Sequence, residues 1–240
     1  MDALSPLAEL PADETHHALQ VLRLKSGDEI RLINGRGLTA AARLLPSGKK
    51  KAQAEIVQLT QAERPKPRIT VFLGLLKNRQ RMEWAVEKLT ETGVQRIILG
   101  ETTRTERQKL RADRLESVAL SAAKQSLTAW IPEISTTSLA EIMREMDEAE
   151  TGHIPVIAHE KIVEGEGGRT SRSFRELISD REAAEVTEWV LFIGPEGGFT
   201  DDEVSRLSAL PQARLLHLGP QRLRAETAAV VCAALFGCSG

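Results

Sequence analysis

The chain has no tyrosine and only 3% aromatic residues. That poverty disfavours a nucleic-acid binder that works by stacking bases on aromatic platforms. Only two cysteines occur, Cys232 and Cys238, both near the C-terminus. They make no disulfide framework, and Cys232, inside an apolar helical run, reads as a small core residue. No apolar run approaches the ~20 residues needed to cross a bilayer. The first residues, MDALSPLAELPADE, are acidic and carry no basic segment, so no signal peptide is expected. Bulk charge is nearly absent too. Thirty-two Lys+Arg against 34 Asp+Glu leave a net −2, which excludes a polycationic binder. The composition points to a soluble, reduced, cytoplasmic protein.

What is present is enough for a core. Hydrophobic residues are 41% and charged residues 28% of 240, which excludes a disordered chain and suggests one or two domains. The near-neutral charge is unevenly spread. Residues 1–68 hold 11 Lys+Arg and 8 Asp+Glu, a net +3, and residues 69–114 hold 10 and 6, a net +4. Residues 133–203 hold 6 and 18, a net −12. Such asymmetry is the footprint of a polyanion-facing surface, although ordinary solvated helices give the same count.

The stretch Gln61–Arg68 (QAERPKPR) lacks apolar periodicity, and each of its prolines favours an extended predecessor. It divides the chain into residues 1–64 and 65–240. The first part predicts a helix over Asp13–Leu24, with Asp13 as its cap, then strands Glu29–Asn34, Leu38–Leu45 and Lys51–Leu59. The second part alternates. Ile69–Leu76 is a near-continuous apolar run, as in a strand buried on both faces. An amphipathic helix follows at Arg81–Thr92, ended by Gly93. Further strands are predicted at Arg96–Leu99, Ile154–Ala158, Trp189–Ile193 and Leu215–Leu218. Helices are predicted at Arg111–Leu127, Leu139–Glu150, Thr200–Leu210 (capped by Thr200) and Ala225–Phe236. Alternation of this kind means an α/β unit with a mostly parallel sheet. Glu164–Thr170 (EGEGGRT) reads as a mobile surface loop.

Two strand-to-helix loops carry the chemistry. Ile193-Gly194-Pro195-Glu196-Gly197-Gly198-Phe199-Thr200 holds three glycines in five residues, which lets backbone approach a ligand closely. It lies where open α/β sheets bind ligands, though a tight turn needs the same residues. It fits neither GxGxxG nor a P-loop, so neither a dinucleotide nor a nucleoside triphosphate is indicated. Leu218-Gly219-Pro220-Gln221-Arg222-Leu223-Arg224-Ala225-Glu226-Thr227 sets polar residues at the mouth of an apolar helix. Arg224 and Glu226 there form either a structural ion pair or a cation and a carboxylate over a substrate.

GPEGGFT followed by LGPQRLRAETAA resembles the 16S rRNA uracil-N3 methyltransferases of the SPOUT superfamily. Lys77–Gly93, Ala123–Ile134, and His16-His17 with Val21-Leu22-Arg23 resemble further signatures of that family, so the resemblance spans nearly the whole chain. Leu127 and Thr128 depart from it, as does the spacing of the basic loop before Arg81. The resemblance implies a PUA-like β-barrel over 1–64 that binds RNA. It implies a SPOUT domain with a trefoil knot over 65–240, S-adenosylmethionine as cofactor, and a homodimer. The reaction it implies is methylation of N3 of one uridine in the decoding region of 16S rRNA, within a small ribosomal subunit particle. The cofactor residues so implied are Ile193, Gly194, Glu196, Gly197, Gly198, Leu216, Leu218, Gly219, Leu223, Arg224 and Thr227.

Uracil N3–H must lose a proton, so an anion-stabilising cation or a base is useful. Arg224 is expected to stabilise charge on the uracil carbonyls, Glu226 to orient it, and Glu196 to be the alternative base. RNA contacts are expected from Arg23, Lys25, Arg31, Arg36, Lys49, Lys50 and Lys51, and from Lys77, Arg79, Arg81, Arg104 and Arg107. His16 and His17 lack the partners of a metal site, and no metal is expected. A methyltransferase of another RNA, or a non-catalytic RNA-binding assembly factor, is the competing reading.

Overall fold

Period-two burial organises both parts of the chain. A computed structural model describes residues 7–46, 51–105, 110–148, 152–159, 171–179 and 186–237. The sequence divides into two compact units, residues 1–64 and 65–240. The expected mobile loop Glu164–Thr170 and Cys238 lie outside the described residues.

In the first unit, β1 (Leu7–Glu9), β2 (Glu29–Ile33), β3 (Leu38–Pro46) and β4 (Ala52–Gln61) form an antiparallel sheet in the order β1-β4-β3-β2. The turn from β2 to β3 is closed by Asn34, whose side-chain oxygen accepts the N–H groups of Arg36 at 2.8 Å and Leu38 at 3.0 Å. A small core of Ala18, Leu44 and Ala52 lies under Leu10, Leu19, Leu24 and Ile30. The predicted helix is shorter than its pattern. Its α-helical part, α1 (Ala12–His16), starts after Pro11 rather than Asp13, and it widens into a π-helical turn over His17–Val21. Arg23 then takes φ +55°, which ends the helix before Leu24.

Among its described residues the second unit holds a sheet of six strands, all parallel, in the order β10-β8-β9-β5-β6-β7. Their ranges are β5 (Arg68–Gly74), β6 (Arg96–Glu101), β7 (Glu133–Ser138), β8 (His153–Ala158), β9 (Glu188–Ile193) and β10 (Arg214–Leu216). Alternate residues of the central strands enter opposite cores. Ile69, Val71, Leu73, Ile97, Leu99, Leu191 and Ile193 pack under α2 (Arg79–Glu91), α3 (Ala112–Ser126) and α7 (Ala225–Gly237). Phe72, Ile98, Val190 and Phe192 pack under α4 (Leu139–Glu148) and α6 (Asp201–Leu207). Each such side chain contributes roughly 1.5–3 kcal/mol of apolar burial. That double burial is what the continuous apolar runs encode.

Two short elements carry no periodic signal. Strand β7 is polar and lies at a sheet edge, and α5 (Phe174–Ile178) has only five residues. Helix α2 begins two residues earlier than expected because the Asn78 side chain caps it, accepting the N–H of Gln80 at 2.8 Å and of Arg81 at 3.3 Å. Its end is as expected. Gly93 sits at φ +79°, its N–H meets the Thr90 carbonyl and that of Val94 the Leu89 carbonyl, each at 3.1 Å. This is a Schellman end. Nothing lies within 4 Å of an added Cβ at Gly93, so Gly93→Ala tests backbone strain alone. It is expected to cost about 1–2 kcal/mol, seen as a Tm lowered by roughly 2–8 °C.

Candidate active site

The carboxyl ends of parallel strands face one edge of the sheet, and the loops there are the natural ligand site. In the second unit, the loop after β9 (residues 194–200) and the loop after β10 (residues 217–224) line a cavity of about 360 Å³. That lies within the ~300–1,000 Å³ typical of small-molecule sites. Of the expected cofactor residues, Ile193, Gly194, Glu196, Gly197, Gly198, Leu218, Gly219, Leu223 and Arg224 line it. Leu216 and Thr227 do not, and Leu216 is instead fully buried in the core. A Cβ on Gly194 would lie 2.8 Å from the Phe199 backbone nitrogen, so only glycine permits this loop to fold back on itself.

Three loops are tied together behind the cavity. Thr200 caps α6 in a capping box with Glu203, and the remaining oxygen of Glu203 accepts the Thr103 N–H, from the loop after β6, at 2.8 Å. From the same loop, Arg104 donates through one Nη to the carbonyls of Gly197 and Phe199. The backbone N–H of Lys77, in the loop after β5, donates to Glu196 Oε1 at 3.0 Å. Glu203 is only 4% exposed. Burial alone raises a carboxyl's pKa, but backbone N–H donors at Thr103 and Thr200, with both threonine side chains, outweigh it and hold Glu203 below its ordinary value. Thr200-x-x-Glu203 is a capping-box spacing that marks the first of these bonds in the sequence. No local pattern marks Thr103.

Four arginines, Arg81, Arg104, Arg222 and Arg224, line the cavity. Glu226, on the first turn of α7, is 5% exposed and is absent from the cavity lining. Its ion pair is not with Arg224, as expected from the sequence, but with Arg81: Arg81 Nε stands 3.6 Å from Glu226 Oε1. The other oxygen, Glu226 Oε2, is buried without a hydrogen-bond partner among the described residues. One oxygen of Glu196, the alternative base, is held by Lys77 N–H.

A family model described as an RNA methyltransferase domain matches residues 62–237, and one described as an RNA methyltransferase PUA domain matches residues 10–57. The ribosomal RNA small subunit methyltransferase E of Mycobacterium bovis is 30% identical over 241 residues, covering 96% of this chain and 86% of its own. The chain belongs to the ribosomal RNA small subunit methyltransferase E family. Among solved structures, a ribosomal RNA small subunit methyltransferase E of Neisseria gonorrhoeae, bound to S-adenosyl methionine, is 25% identical with a TM-score of 0.80. The match covers 99% of this chain and 94% of that one. A probable rRNA methyltransferase of Porphyromonas gingivalis is 31% identical with a TM-score of 0.77, over 96% and 92% of the two chains. The parallel α/β unit and the antiparallel first unit accord with these two domain descriptions.

Within this methyltransferase the expected RNA residues fall into three groups. Arg23, Lys25, Arg31, Arg36 and Lys51 are exposed on the first unit, and Lys77 and Arg79 are exposed just before and at the start of α2. Arg81 and Arg104 line the cavity instead, and Arg104 is held by the loop carbonyls. Lys49, Lys50 and Arg107 lie outside the described residues. Among the described residues no group of three or more His, Cys, Asp and Glu side chains is placed to hold a metal ion, and no helix is long and apolar enough to cross a membrane.

The depressed pKa of Glu203 sets a pH dependence. Such a group stabilises the fold above the unfolded carboxylate value of about 4.3, and that stability is lost as pH falls through its folded value. Glu203→Gln is expected to flatten the fall of Tm below roughly pH 5 relative to wild type. Thermal unfolding at a series of pH values checks this, and a wild-type slope in the variant refutes it.

Proposed function

We propose that the cavity formed by the loops after β9 and β10 takes S-adenosylmethionine. The methyl group goes to N3 of one uridine in the decoding region of 16S rRNA, within a small-subunit particle. The enzyme is an S-adenosylmethionine-dependent rRNA methyltransferase, and we infer that it acts as a cytoplasmic homodimer. The observation that carries the cofactor reading is a glycine-built cavity at the carboxyl edge of a parallel sheet, walled by backbone and ringed with arginines.

The residues fit that cofactor. Backbone groups of Gly194, Gly197, Leu218 and Gly219 would hold its adenosine and methionine parts, and Leu223 would pack on the adenine. The carbonyl of Gly197 is already taken by Arg104, which leaves its N–H for the ligand. When bound, the cofactor supplies an electrophilic methyl group on a sulfonium. Everything else falls to the chain. Held loops align the reacting atoms, which is most of what a displacement needs. For transfer to N3 the uracil N3 proton would have to leave, and a residue of the chain would have to take it. Arg224 stabilises the charge that gathers on the uracil carbonyls. Glu196 keeps one oxygen beyond its bond to Lys77 and is the candidate base. Exposed cations of the first unit meet phosphate, which positions the RNA without reading its sequence.

Incubation with labelled S-adenosylmethionine and small-subunit particles lacking the modification should place one methyl group at N3 of a single uridine. Mapping the label checks it, and absence of label from 16S rRNA overturns the reading. Arg224→Ala should lower the rate by about 10²-fold at unchanged cofactor affinity. Replacing Lys49, Lys50 and Lys51 by Gln should shallow the salt dependence of RNA binding by up to about 0.7–0.9 log units for each phosphate that is no longer neutralised. An unchanged slope removes that patch.

A further inference from the structure

Glu226 is poorly explained by stability. It is the only charged residue of α7 and is 5% exposed. Its place in the first turn lets the helix dipole favour a negative charge. Yet its ion pair with Arg81 stands at 3.6 Å, beyond hydrogen-bond distance, and Oε2 has no hydrogen bond among the described residues. A buried charge so incompletely satisfied typically contributes little, and a neutral residue of the same shape is often as stable or more so.

Arg81 is equally ill placed for stability alone. It lies in the first turn of α2, where a cation opposes the helix dipole. Its side chain is 36% exposed and lines the cavity. The two helices that carry the pair share one core, with Met82, Ala85 and Leu89 of α2 clustered with Ala225, Ala229 and Cys232 of α7. Both backbones are therefore rigid, and the pair fixes a long side chain that otherwise keeps ~2 kcal/mol of rotamer freedom.

We infer that Arg81 is a catalytic residue of methyl transfer, a cation that contacts a uracil carbonyl, and that Glu226 is its positioning residue. This rests on the uracil-N3 reading above. A deprotonated imide spreads its charge over two carbonyl oxygens, one on each side of N3. Arg224, from the loop before α7, and Arg81, from α2, reach the cavity from different elements and suit that pair of oxygens. The Nε edge of Arg81 faces Glu226 and leaves the two Nη groups as donors for the ring. A cation held before the reaction needs no reorganisation as charge develops, which is where electrostatic stabilisation is strongest. Glu226 is not the base: its open oxygen is buried and is outside the cavity lining.

Single-turnover methylation of small-subunit particles by Arg81→Met, Glu226→Gln and the double variant tests the pair. Each single change is expected to lower the rate by about 10²-fold. The double variant should fall no further than the worse single one, because the two residues act as a unit. S-adenosylmethionine affinity, by calorimetry, should stay within about twofold and Tm of Glu226→Gln should not fall. Arg81→Lys should recover part of the rate, and Arg81→Met should keep gaining rate with pH beyond the point where wild type levels off. Additive losses, a wild-type rate in either single variant, or a cofactor affinity that weakens in step with the rate each overturn the inference. The last of these assigns the pair to the cofactor's carboxylate and ammonium. Wild-type enzyme that labels no particle refutes the function itself; active wild type with active Arg81→Met refutes only the role of Arg81.

Discussion

The register of β5 on β9 sets the level of the whole site. Leu73 pairs with Ile193, so Gly74, the last residue of β5, stands level with Gly194, the first residue after β9. A Cβ on Gly74 would collide with the Pro195 backbone nitrogen, so the start of the GPEGG loop rests against the end of the neighbouring strand. Slip that register by one residue and every side chain of β5 changes core. Ile69, Val71 and Leu73 would then face the layer of α4 and α6, and the loop would lose its seat. The double hydrophobic burial that makes these strands is thus also what places the ligand loops. Stability and site geometry have the same cause.

Onto that frame the loops are fastened by charge-assisted bonds as well as by the burial of Phe199 against Phe72. Glu203, Arg104 and Glu196 each join a β9 loop or helix residue to the loops after β6 or β5. Three of the charged groups near the cavity therefore serve as fasteners. The groups left to face a substrate are fewer than the sequence suggests. The local electrostatics thereby become selective although the chain as a whole carries a net −2. In the proposed reading backbone meets the cofactor, and cations meet the RNA base.

Much of this is legible in the sequence. Apolar runs mark β5, β8 and β9; Thr200 and Gly93 mark helix ends; the two loops mark the cavity, with nine of their eleven expected residues lining it. What escapes has physical reasons. Strand β1 has three residues and β7 is a polar edge, so neither carries periodicity. Asn78 caps α2 through its side chain two residues before the expected start. Long-range partners escape altogether. Arg224 sits two residues from Glu226, yet Arg81, far away in sequence, is its ion-pair partner. Adjacency along a chain entering a helix does not set which side chains meet, because residues two apart point to different faces.

Glu203 and Glu226 show why the partners matter. Both are nearly buried carboxylates near a helix N-terminus. Glu203 has hydrogen bonds on both oxygens, and the donors pull its pKa down; it holds loops together and stabilises them. Glu226 has a distant cation and an open oxygen. If packing and stability were the only demands at position 226, an apolar residue would meet them better, as most other residues of α7 do. A locally unfavourable charge that persists beside a cavity is the kind of conflict found where a site, rather than the fold, sets the residue. The same helix-end position thus serves two ends, and the count of satisfied oxygens tells them apart.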